Sequence, residues 1–77
     1  MNSNYSQHRE SIILDALETI KKNGYKCQLM NRQNGHIQVI SKHGIIHNYY
    51  PTTGTIAGYD WKTTRGIDML LQILENN

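Results

Sequence analysis

The stretch His36-Ile37-Gln38-Val39-Ile40-Ser41-Lys42-His43-Gly44-Ile45-Ile46-His47-Asn48-Tyr49-Tyr50 decides the fold. Ile37 and Val39 alternate with His36 and Gln38, the period of a strand with one buried face. The run from Ile45 to Tyr50 has no clean alternation, so its orientation must come from the turn before it. A two-residue hairpin turn at His43-Gly44 sets Lys42 opposite Ile45, Ser41 opposite Ile46, Val39 opposite Asn48 and Ile37 opposite Tyr50. Opposed residues share a sheet face. This predicts Ile46 and Tyr50 inward, with His47 and Tyr49 outward beside Ile40 and Gln38.

Upstream, Tyr25, Cys27 and Leu29 alternate with Lys26 and Gln28 as a further half-buried strand. A two-residue loop at Asn34-Gly35 would turn Lys26 and Gln28 into the core. An odd loop of three or five residues around Gln33-Asn34-Gly35, with Gly35 left-handed in a bulge, keeps them out. Pro51-Thr52-Thr53-Gly54 reads as a turn, and Thr55-Ile56-Ala57 as a short edge strand. Two helical patterns bracket these strands. The first starts near Ser6, carries Ile13, Ala16, Leu17 and Ile20 at i, i+3, i+4, i+7, and stops at Asn23-Gly24. The second is capped by Thr63 or Thr64 and repeats the spacing with Ile67, Leu70, Leu71 and Leu74. The expectation is one α+β domain over residues 1–77, ordered α-β-β-β-(β)-α, with both helices on one face of a small antiparallel sheet and fraying ends at 1–5 and 76–77.

Composition narrows the class. At 77 residues and 38% hydrophobic, the chain supports one modest core. No apolar run reaches the roughly 18 residues of a membrane span, and Met1-Asn2-Ser3-Asn4-Tyr5-Ser6 carries no export signal, which predicts a cytoplasmic protein without a membrane partner. The single cysteine, Cys27, excludes an internal disulfide framework and a multi-cysteine zinc site. Net charge is +2, but its distribution says more: residues 24–58 hold Lys26, Arg32 and Lys42 with no carboxylate. The open sheet face should therefore be mildly basic, with Ile40 and Tyr49 as an apolar centre and Lys26, Arg32, Lys42 and His47 around it. Such a face suits an acidic protein patch or nucleic acid.

Signals for catalysis are weaker. His43 and His47 are four apart on a hairpin, not a helix, and lack a nearby carboxylate, so no metal or other cofactor is expected. Metal-free RNA cleavage needs a histidine, a second proton donor and a cation, which His36, His47, Tyr49 and Lys42 could supply between them. Cys27 alternates inward as a small hydrophobe. Trp61 and Tyr59, in the loop before the second helix, either close the end of the core or anchor a partner.

Two resemblances add to this. Gly24-Tyr25, Arg32, Gly35-His36 and Gly66-Ile67-Asp68-Met69-Leu70-Leu71 can be laid over the plan of the double-stranded-RNA-binding fold and its relatives, the HicA-type mRNA-cleaving toxins. The resemblance implies a metal-independent ribonuclease with His36 as its catalytic histidine, although the toxins' serine between glycine and histidine is absent. The run from His43 to Ile56, followed by Arg65-Gly66-Ile67-Asp68, resembles small bacteriophage and prophage proteins. Those often disable a host or defence factor, as anti-CRISPR proteins do. The leading expectation is thus a non-catalytic, phage-encoded inhibitor in the bacterial cytoplasm. Its partner would be a host or defence protein or nucleoprotein complex, with nucleic acid and a second copy of the chain as further candidates.

Overall fold

The structure, a computed structural model, describes the backbone of residues 3–77 and the side chains of residues 8–77. Helix α1 (Ser3–Lys22) is followed by strands β1 (Lys26–Asn31), β2 (His36–Ile40), β3 (Ile46–Tyr50) and β4 (Thr55–Ile56), and then by α2 (Ile67–Asn76). The strands form one antiparallel meander in the order β1-β2-β3-β4. This is the α+β arrangement expected from the periodicities, with the short fourth strand present. Helix α1 begins at Ser3, ahead of the expected start near Ser6, and α2 extends through Asn76. Met1 and Asn2 lie outside the described residues.

One apolar layer joins the two helices to one sheet face. Ile13, Ala16 and Ile20 from α1 and Leu70, Ile73 and Leu74 from α2 pack with Ile37, Val39, Tyr49 and Ile56 from the strands. Six aliphatic side chains are essentially inaccessible, and each contributes about 2 kcal/mol by leaving water. The exposed Arg32–Glu10 ion pair adds at most about 1 kcal/mol. Apolar packing therefore holds the layers together.

Turn chemistry sets the strand orientation. At the first hairpin Leu29 pairs with Ile37 and Asn31 with His36, leaving a bulge between Leu29 and Asn31. The loop has four residues rather than three or five, and the extra residue in the bulge supplies the parity. Lys26 and Gln28 consequently face away from the helices, opposite Ile40 and Gln38, as expected.

The second hairpin departs from expectation by one residue. Ser41 N–H donates to the Ile45 carbonyl and Gly44 N–H to the Ser41 carbonyl, so the loop is Lys42-His43-Gly44, with Gly44 at φ 85°. A three-residue loop ending on a left-handed glycine bulge is the geometry that the two-residue reading overlooked. Val39 now opposes His47 and Ile37 opposes Tyr49. His47 and Tyr49 point into the core, only 8% and 3% exposed, while Ile46 points outward at 54%. The predicted outward placement of His47 and Tyr49, and the inward placement of Ile46 and Tyr50, are corrected.

Helix α2 also begins differently. Its N-cap is Gly66, at φ 94° and ψ 165°, without a side-chain cap. The backbone N–H groups of Thr63 and Thr64, the expected caps, donate instead to the Asp60 carbonyl. Gly66 N–H donates to the Gly54 carbonyl, and Thr55 bridges Arg65, so the start of α2 is tied to β4.

Candidate functional interface: the open sheet face

The face turned away from the helices is built in cross-strand rows. Lys26, Ile40 and Ile46 form one row across β1, β2 and β3, and Gln28, Gln38 and Asn48 form the next. The six side-chain carboxylates lie on the helices or in the loop before α2. The strands display none. Lys42, in the β2–β3 loop, stands with its ammonium 5.8 Å from the centroid of the Tyr25 ring. A shallow depression between Tyr25, Lys26, Ile40, Lys42 and Gly44 brings both lysines beside Ile40. Exposed Ile46, in the same row, extends the apolar part.

Past the amide row the face becomes aromatic. The His36 ring stacks on Tyr50, with centroids 5.0 Å apart and planes 14° from parallel. Its Nε2 lies 2.7 Å from Asn48 Oδ1. An amide oxygen only accepts, so Nε2 carries the proton and Nδ1 is the unprotonated nitrogen of the neutral ring.

The structure thus brings together Lys26, Ile40 and Lys42 from the expected set, and His36 shares their face. Arg32 does not join them. Its guanidinium reaches back to Glu10 of α1, with Nε 2.9 Å from the carboxylate. His47 faces the core with Nε2 buried and unpartnered, and burial pushes its pKa below the usual histidine value. Tyr49 lines a groove between α1 and α2, floored with Ala16 and Ile67. Burial, and secondarily the Asp68 carboxylate, push its phenol pKa up. Neither residue is available to the open face. Ile46, Asn48 and Tyr50 take those places instead. The sequence signal that could have found them is Gly44 at the third position of a loop that Ser41 closes.

Cys27 is half-buried under α1, its Sγ 3.8 Å from the Leu17 carbonyl. Burial raises its pKa against a smaller lowering by Lys21, so the thiol stays protonated and weakly nucleophilic. Tyr59 and Trp61 are 41% and 55% exposed. The Arg65 guanidinium lies 5.6 Å from the Trp61 ring centroid. Trp61 therefore stands outside the core. Among the described residues no three metal-ligating side chains come together, and no helix is long and apolar enough to cross a membrane. Comparison of the chain with protein-family models, with curated proteins and with solved structures finds no match in any of the three.

Proposed function

We propose that the chain is a non-catalytic binding module that occupies an acidic protein surface through its open sheet face, as a phage-encoded inhibitor of a host or defence factor. The observation that carries this reading is the carboxylate-free row Lys26–Ile40–Ile46, flanked by Lys42. Isoleucines supply a desolvated centre, and two lysines on flexible stems supply a cationic rim. The inhibitor role rests on the likeness of residues 43–56 and 65–68 to phage proteins. Affinity capture from a phage-sensitive host tests it, using the tagged wild type beside Lys26→Glu/Lys42→Glu. One acidic protein should be retained by the wild type, lost with rising salt and lost in the double variant. Equal retention by both proteins refutes this face. Retention of RNA or DNA in its place favours a nucleic-acid partner.

A second reading has its own support. The Asn48 contact fixes His36 in the tautomer whose Nδ1 can take a proton. A HicA-like ribonuclease would use it as the base that activates a ribose 2′-hydroxyl. Growth arrest on expression, relieved by His36→Ala, is its signature; expression without arrest removes it.

A further inference from the structure

The two edges of the sheet are finished differently. At the β4 edge Thr55 bridges Arg65 of the same chain, and Ile56 is completely buried. At the β1 edge the sheet order leaves one row of backbone N–H and C=O groups facing no strand. The apolar layer also runs out there. Ile37 and Val39 on β2 are 0% exposed, yet their β1 partners Leu29 and Cys27 are only half-buried. Natural edges are blunted by several charges, lysine above all, by proline, by inward charges and by bulges along the strand. β1 carries one charge, Lys26, on the outward face, and its bulge lies only at the far end.

Helix α1 continues this unfinished flank. Leu14, Leu17, Glu18 and Lys21 recur at i, i+3, i+4, i+7 on the side away from α2 and line one shallow hollow with Lys22. Leu14 is 57% exposed. The bases Lys21 and Lys22 close the helix, and Glu18 is the carboxylate on this side, since Glu10 is held by Arg32 and Asp15 lines the groove toward Ile67. An antiparallel copy of α1 would therefore set its basic end beside the acid-bearing part of the first. The flank is complementary to itself, as a two-fold interface requires.

We infer that the β1 edge and the outer side of α1 form a homodimer interface, joining two sheets into one of eight strands. Face parity restricts the pairing, since Cys27 and Leu29 must oppose inward residues of the other copy. A two-fold axis through Gln28 sets Cys27 against Leu29 of the second copy and covers both half-buried side chains. Leu14 and Leu17 meet their counterparts on the helix layer. The open faces then merge into one continuous surface carrying two Lys26–Ile40–Ile46 rows. This does not depend on what that surface binds.

Sedimentation equilibrium up to about 1 mM protein tests the inference. The wild type should show a monomer–dimer equilibrium, and Leu14→Glu should weaken it at least about tenfold. Glu18→Lys and Lys21→Glu/Lys22→Glu should each self-associate poorly, yet form a mixed dimer when combined. Circular dichroism confirms that these exposed substitutions leave the fold intact. Ile46→Glu, on the open face, should leave dimerisation unchanged. A monomer throughout the range overturns the inference, as does a dimer that survives Leu14→Glu but is lost in Ile46→Glu.

Discussion

Val39 and His47 oppose each other across the β2–β3 ladder, so an imidazole occupies a place in the helix-covered layer that an aliphatic residue would fill without penalty. Its Nε2 is buried with no hydrogen-bond partner. Protonation there would bury an unpaired cation.

Stability should consequently fall in mild acid. The folded-state pKa of His47 lies below the ordinary value of 6.5. The unfolded chain thus takes up the proton first, and stability drops as pH falls from 6.5 toward the folded pKa. Urea denaturation of the wild type and His47→Leu between pH 7.5 and 5, roughly the span over which histidine titrates, should show the wild type losing the larger share. Parallel pH profiles would mean that the imidazole is hydrated in the folded state.

The Gly54–Gly66 contact should be intolerant of a side chain. A Cβ at Gly54 would stand 3.2 Å from the Gly66 nitrogen, against backbone that has little room to give. At Gly58, which shares the positive φ, a Cβ meets nothing within 4 Å. Both alanine variants carry left-handed strain of about 1 kcal/mol or more, but Gly54→Ala should cost clearly more than Gly58→Ala. Equal midpoints in urea would show that the two backbones part freely.

Ser41 joins two distant pieces of the chain. Its hydroxyl accepts from Ile45 N–H at 3.1 Å and donates to the Asn77 carbonyl oxygen at 3.3 Å, at 4% exposure. Ser41→Ala leaves the part-buried Ile45 amide without that acceptor and should cost about 1 kcal/mol. Amide hydrogen exchange should report faster opening at Ile45 and at the end of α2 together. Faster exchange at Ile45 alone would uncouple the two ends.

Trp61→Ala should leave the melting temperature nearly unchanged, within the roughly 0.5 kcal/mol typical of surface substitutions. The indole lies over Arg65 on the outside of the molecule. A large loss of stability in a thermal melt would return Trp61 to the role of core seal.

How far the sequence foretold this molecule varies with how local the determining physics is. The helices were legible because Ile13, Ala16 and Ile20, and Leu70 and Leu74, repeat at a spacing only a helix aligns. Gly24 ends α1 at φ 91° as expected. The β1–β2 parity was legible because Lys26 and Gln28 alternate unambiguously with Cys27 and Leu29. β3 offered no such contrast: Ile46, Asn48 and Tyr50 on one side weigh much the same as His47 and Tyr49 on the other. One residue in the turn decides which set is buried. That residue also decided the site, moving Tyr49 and His47 off the open face and Tyr50 onto it. The true cap of α2 was hidden for another reason, since the choice of Gly66 over Thr63 or Thr64 depends on Gly54, twelve positions away in the chain.

The strand order β1-β2-β3-β4 has a kinetic consequence. Each strand pairs with its neighbour in sequence, so the sheet can zip through three short loops without closing a long one. Loop-closure entropy then falls mainly on the return of α2, whose C-cap Asn77 meets Ser41 across 36 positions. Low contact order of this kind goes with fast folding. The order of events it implies is early collapse of the hairpins against α1, with α2 arriving last to cover Val39, Tyr49 and Ile56.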